Sequence, residues 1–252
     1  LDIDELARVD REAEKRFIII RVPFFQGDQM DIPYTTMPLG VITSNSWIVT
    51  ICKQNNQLLR ESKKASTHPL HTKKHNTFIL HILFNTAKLF LSNLTAINRI
   101  VDSLEDQLQL SIRNRELMQL LKYQKSLVFF STALKTNELM IERLQKMQLF
   151  KKYPEDQELL EDVLTENMQA MEMTNISGNI LSQMMDAFAS MISNNQNNVI
   201  KIITSVTIVM SMPTIVRSFL HRNIVTTLCP SGRDRLEHLL ALLQNGSVDL
   251  TA

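Results

Sequence analysis

Hydrophobic positions repeat with two different periods along the chain. Phe17-Ile18-Ile19-Ile20-Arg21-Val22 is a β-rich run that Pro23 should stop. Leu39-Gly40-Val41-Ile42-Thr43 and Trp47-Ile48-Val49-Thr50-Ile51-Cys52 flank Ser44-Asn45-Ser46, which predicts a hairpin; Gly27, Asp28, Pro33 and Pro38 punctuate the loop before it. From about residue 76 the spacing becomes helical. Phe78, Ile82, Phe84, Leu89, Leu91, Leu94, Ile97, Ile100, Val101, Leu104 and Leu108 mark one amphipathic helix. A second is expected over 115–149, carried by Leu117, Leu120, Leu121, Leu127, Val128, Leu134, Leu139 and Leu144, with Lys151-Lys152-Tyr153 closing it.

Pro154-Glu155-Asp156 has the signature of a helix start, with proline in the first turn and acids at the positive dipole end. No breaker stronger than Gly178 follows before Pro213. That gives a helix of roughly 60 residues, on the order of 90 Å long. Such a helix must project from its domain or pair with copies of itself. Its apolar side reads Leu160, Val163, Leu164, Met168, Met171, Leu181, Met184, Met185, Phe188, Met191 and Ile192, a packing surface in which Met fills gaps.

The other side is polar. In alternating steps of three and four, the repeat of a left-handed supercoil, it reads Asp162, Thr165, Gln169, Glu172, Ile176, Asn179, Gln183, Asp186, Ser190, Ser193, Asn197, Ile200, Thr204, Thr207, Ser211 and Thr214. Up to about Val199 a solvated face explains it. Beyond Val199 the surroundings are apolar through Val216 apart from Lys201 and Ser205, yet the stripe keeps its register. Ser and Thr in an apolar helix often bond their own backbone carbonyls. In a symmetric ring of helices the same face would line a water-filled path. Ile202–Val216 is short against the roughly 20 residues that cross a bilayer core.

Composition narrows the classes. Lys+Arg 27 against Asp+Glu 26 leaves a net charge of +1, which argues against a nucleic-acid partner. Cys52 and Cys229 suggest neither a disulfide framework nor a zinc cluster, and a reducing compartment is the default. No Ser/His/Asp arrangement, phosphate loop or H-E-x-x-H stands out, so no enzyme is expected. His68, His71, His75 and His81 accompany Lys63-Lys64 and Lys73-Lys74, and a solvated linker is the simpler reading there. The chain begins at Leu1, inside a working pattern, and is expected to lack its start.

Several stretches together resemble the CorA magnesium transporter family. Leu1-Asp2-x-x-Glu5-x-x-Arg8, the strand ending Arg21-Val22-Pro23, Pro38-Leu39-Gly40-Val41-Ile42 and Ile48-Val49-Thr50 are similar to its cytosolic domain. Asn114-x-Glu116-Leu117, Leu120 to Phe130 and Thr132-Ala133-Leu134-Lys135-x-Asn137 resemble the paired helices flanking its stalk. Met185-Asp186 through Ser193-Asn194-Asn195-x-Asn197-Asn198-Val199, then Lys201 and Thr204, resembles the stalk entering the first membrane helix.

The resemblance implies an α+β fold: a partial mixed α/β cytosolic domain over 1–75, paired helices over 76–153, a coiled-coil stalk over 154–198, a first transmembrane segment over 199–216 and an atypical tail over 217–252. It implies a homopentamer in the cell membrane, its N-terminal domain in the cytoplasm, admitting Mg2+ passively with Co2+ or Ni2+ as further cargo. Asn197, Ile200, Thr204, Thr207, Ser211, Thr214 and Asn223 are then pore-lining, and Asp162 and Asp186 are metal-sensing ligands. Amide, hydroxyl and carboxylate oxygens suit a largely hydrated Mg2+, and apolar Ile200 suits a constriction.

Two departures stand out. Where the family has Gly-Met-Asn this chain reads His221-Arg222-Asn223, and Arg217 and Arg222 place positive charge near the entry. The segment after Pro230 is too short and too polar for the family's second span. These leave a second reading open, a non-conducting remnant or scaffold of the same lineage, cytoplasmic if soluble. A shifted reading frame after Val216 would also explain the change of character.

Overall fold

The computed structural model describes residues 2, 4–12, 15–54, 58, 74–110, 114–150 and 153–228. Four strands form one antiparallel sheet in the order β1-β2-β3-β4: β1 (Arg8–Glu12), β2 (Lys15–Phe25), β3 (Tyr34–Thr43) and β4 (Ile48–Cys52). Among the described residues they are followed by the helices α1 (His75–Leu110), α2 (Asn114–Lys146) and α3 (Pro154–Leu228). This is an α+β chain of two units, Leu1–Ala189 and Ser190–Ala252.

The expected hairpin is present, with Thr43 opposite Ile48 and the Ser44 amide donating to the Trp47 carbonyl at 2.9 Å. Strand β1 was not anticipated, since Arg-Val-Asp-Arg-Glu lacks an apolar run. As an edge strand it needs only Val9 turned toward the core, and its charges blunt the open edge.

The expectation that Pro23 stops the strand is corrected, because β2 runs through it to Phe25. Pro38, read as loop punctuation, lies inside β3 opposite Arg21. The reason is the alternation of backbone polar groups. Arg21 directs its N–H and C=O away from β3, to Asn137 of α2. Arg21 and Pro38 are therefore a non-hydrogen-bonded pair, and Pro23, two residues on, shares the orientation of Arg21. The nitrogen of Pro23 points past the end of β1, whose last partner is Ile19, and that of Pro38 points past Cys52, the end of β4. Neither proline breaks a ladder bond.

One sheet face carries Ile18, Ile20, Val22, Leu39 and Val41, all fully buried. It packs on Ile79, Leu80 and Leu83 of α1, Met140, Ile141 and Leu144 of α2, and Leu160 and Val163 of α3. Each such side chain contributes roughly 2 kcal/mol of apolar burial. Away from the sheet the helices pack on one another in steps of three and four. The buried positions are Phe90, Leu94, Ile97, Val101, Leu104 and Leu108 on α1, and Leu120, Tyr123, Leu127, Phe130 and Leu134 on α2. That 3.5-residue repeat is the repeat of left-handed helix packing. Phe90 meets Phe130 edge-on at 5.0 Å, and Tyr34 of β3 reaches Phe130 at 6.2 Å, which ties sheet to helices.

Helix α2 ends at Lys146, three residues short of the expected end. The cations of its last turn are Arg143 and Lys146, and Gln148 follows at φ 55, turning the chain out of the helix. In the loop between β2 and β3, Gly27 sits at φ +110, a conformation that a side chain would strain.

Burial pushes the Tyr123 hydroxyl up to about 12, with Asp28 and then Tyr34 adding to the effect. The unfolded chain ionises this group first, so its contribution to stability is constant below pH 10 and is lost as pH rises from about 10 toward 12. Alkaline unfolding followed by circular dichroism should show that slope, and Tyr123→Phe should flatten it.

A helix face that stays polar

The long helix begins at Pro154, as its sequence indicates. Asp156 in the first turn is buried, and one carboxylate oxygen accepts from Thr77 Oγ1 at 2.6 Å. Up to Ala189 its buried positions are Asp156, Leu160, Val163, Asn167, Ala170, Thr174, Ser177, Leu181 and Phe188, in steps of three, four and finally seven. Met168, expected on the packing side, is instead 58% exposed, because it falls one place outside this seam.

The polar stripe occupies the other side. Asp162, Thr165, Gln169, Glu172, Ile176, Asn179, Gln183 and Asp186 are all exposed. On a 3.5-residue repeat their row lies roughly 150° round the helix from the buried seam. Part of it borders a groove of about 860 Å3, in which Asn98 and Asp102 of α1 lie with Thr165, Gln169, Glu172 and Met168. Asn98 and Asp102 escaped the sequence reading because they fall one place to the side of Ile97 and Val101, off the buried row.

Asp162 and Asp186 are both exposed, and 24 residues of helix separate them, on the order of 36 Å. One ion cannot touch both within a chain. Among the described residues no group of three or more His, Cys, Asp and Glu side chains gathers in a way that would hold a metal. Of the four histidines considered, His68 and His71 lie outside the described residues, and His75 Nδ1 lies 2.9 Å from the Ser44 carbonyl oxygen at the start of α1.

In the second unit Ser190, Ser193, Asn197, Ile200, Thr204, Thr207 and Thr214 are exposed and Ser211 is half-buried. Their apolar neighbours are exposed as well, Ile202 at 64%, Val209 at 68% and Met210 at 72%. Among the described residues two helices are long and apolar enough to cross a membrane. About half of the apolar window in α1 is buried in the protein core, whereas none of the window in α3 is. Nor does the helix stop at Val216. It continues through Pro213 and Arg217 to Leu228. The stretch from Lys201 to Arg222 rises about 31 Å, close to the hydrocarbon thickness of a bilayer.

The hydroxyl bonding considered for this segment is present in part. Ser205 Oγ donates to the Lys201 carbonyl at 2.8 Å, Thr207 Oγ1 to that of Ile203 at 2.8 Å, and Ser211 Oγ to that of Thr207. Among the described residues Thr204 and Thr214 make no such bond. A hydroxyl that donates to its own backbone keeps its oxygen lone pairs to accept from water. Asn223 lies within helical backbone, nine residues and roughly two and a half turns beyond Thr214, hence half a turn away; its side chain lies outside the described residues. By the same count Ser218 and His221, both exposed, extend the row.

Comparisons with known proteins agree with this layout. The chain is 28% identical over 222 residues to the cobalt/magnesium transport protein CorA of Methanocaldococcus jannaschii, covering 84% of this chain and 67% of that protein. The complete structure of the CorA magnesium transporter from the same organism superposes with a TM-score of 0.74 at 24% identity, over 96% of this chain and 77% of that one. The soluble domain of that CorA superposes at 0.63 with 26% identity, over 74% of each chain. The family described as CorA-like Mg2+ transporter protein matches residues 1–227. With its small antiparallel sheet, the helices packed against it and a third helix of 75 residues, the chain belongs to the CorA-like Mg2+ transporter family.

Proposed function

We propose that this chain forms a homopentameric membrane assembly that admits divalent cations, Mg2+ foremost and Co2+ or Ni2+ as well, down their gradient. The N-terminal domain stands in the cytoplasm, residues 154–198 serve as the stalk, and the membrane segment begins near residue 199 and runs on past 216. The observation that carries this reading is the face of α3 that remains polar while its neighbours become apolar and unburied. In a ring of helices Asn197, Thr204, Thr207, Ser211 and Thr214 supply oxygens to a hydrated ion, and Ile200 supplies an apolar constriction. Mg2+ gives up its water reluctantly, so weak acceptors suit it better than a tight cage.

Arg217 and Arg222 affect this path less than their sequence position suggests. Each stands roughly 80° from the stripe, on opposite sides, so neither shares its seam. The full chain in liposomes loaded with a Mg2+-sensitive dye tests the proposal. Mg2+ should enter on addition outside, and inserted protein with no entry would defeat it. The second reading, a non-conducting member of such assemblies, draws on His221-Arg222-Asn223 in place of Gly-Met-Asn. It gives oligomers without flux.

Asp162 and Asp186 are proposed as cytosolic sensors, each completing a Mg2+ site with a neighbouring copy. Asp162→Asn and Asp186→Asn should each cut the Mg2+-dependent rise of the thermal midpoint by about half, leaving the metal-free midpoint unchanged. A rise that survives both substitutions would remove them from the sensor.

A further inference from the structure

The helical register of α3 runs past the last threonine of the path. From Thr207 the steps are Ser211, Thr214, Ser218 and His221, four, three, four and three residues apart, all within one helix that continues to Leu228. We infer that His221, repeated by symmetry, forms a ring of imidazoles at the outer end of the path, a site for Co2+, Ni2+ or Zn2+ and not for Mg2+. The inference rests on the proposal that this face surrounds a shared axis.

Three observations favour it. The His221 side chain is exposed, so no group among the described residues covers the ring. It is the first group on the row beyond Asn197 whose donor is nitrogen; every earlier polar member offers amide or hydroxyl oxygen. The charged neighbours Arg217 and Arg222 flank the row without standing in it. Their field weakens the hold on every cation alike, so preference must come from coordination. Neutral imidazole binds late first-row metals in the order Co2+ below Ni2+, with Zn2+ comparable, whereas Mg2+ takes oxygen and retains its water. Two imidazoles from neighbouring copies suffice to anchor such an ion. A Mg2+ ion passes them in its hydration shell.

The test is a Co2+ titration of the full chain in detergent, without an affinity tag, read by the visible absorption of the bound metal. Wild type should bind Co2+ at least about tenfold more tightly than His221→Gln. In liposomes micromolar Ni2+ should block Mg2+ entry in wild type, and the variant should require at least about ten times more. Ser218→His added to His221→Gln should restore Co2+ binding, because it stays on the row. Leu220→His added to His221→Gln should not, because it leaves the row. Equal Co2+ affinity in wild type and His221→Gln, or rescue by position 220 as readily as by 218, would overturn the ring. If wild type passes no Mg2+, the transport proposal falls, but the Co2+ titration still decides this site, since it needs only the assembly.

Discussion

Thr207→Leu should lower Mg2+ entry into liposomes by about tenfold or more, while Ser205→Leu leaves it within about twofold. The two residues lie two places apart on one helix, both hydroxyls donate to the carbonyl four residues back, and both are exposed. Only Thr207 lies on the stripe. Removing its oxygen leaves Ser211 and Thr204 a turn away on either side, with an apolar collar between them. Each 1.4 kcal/mol added to the barrier for a hydrated ion is a factor of ten in rate, and a narrow apolar collar raises that barrier by dewetting. The Ser205 side chain lies off the stripe, where leucine suits its surroundings better than serine. Equal effects of the two substitutions would show that the register has no meaning for conduction.

The second large effect is on stability. Asn137 clamps the backbone of Arg21, its Oδ1 accepting from the Arg21 amide at 2.9 Å and its Nδ2 donating to the Arg21 carbonyl at 2.8 Å. Both residues are buried, and β1 ends before it reaches this point of β2. Asn137→Leu leaves two buried backbone groups unsatisfied, at about 1–3 kcal/mol each. The expected loss is roughly 3–5 kcal/mol, and the thermal midpoint should fall by about 10 °C or more. The Arg21 guanidinium makes the junction more sensitive. It donates to Thr36 and to the Glu5 carbonyl, and burial lowers its pKa, partly offset by Asp4. A midpoint within about 2 °C of wild type would show that the clamp is replaceable.

The parts legible in the sequence are those whose signal is periodic. The hairpin at Ser44, the three helices and the start at Pro154 follow from alternation, apolar spacing and cap chemistry. So does the stripe from Asp162 to Asp186, which is exposed on the side away from the buried seam. What escaped depends on neighbours distant in sequence. Pro23 and Pro38 sit within strands because their nitrogens point past the ends of β1 and β4, and the Arg21 backbone between them is served by Asn137, 116 residues away. Strand β1 is a charged edge, where pairing supplies what propensity does not. The expected length of roughly 60 residues counted Pro213 as the next breaker, yet α3 runs through it to Leu228. The histidine of the row went unread for the same reason, since counting stopped four residues too early for Ser218 and seven too early for His221. Asp162 and Asp186, proposed as sensors, are the least legible: among the described residues neither has a hydrogen-bond or ion-pair partner that would mark it.

The central claim is that one face of α3 keeps contact with water on its way through the membrane. It is tested by single cysteines placed from 202 to 216 in a chain with Cys52 and Cys229 replaced by serine, reconstituted in liposomes and treated with a charged thiol reagent. The account expects fast reaction at 204, 207, 211 and 214 and protection at 203, 206, 209 and 210. Uniform protection, or fast reaction on the opposite side of the helix, would contradict it.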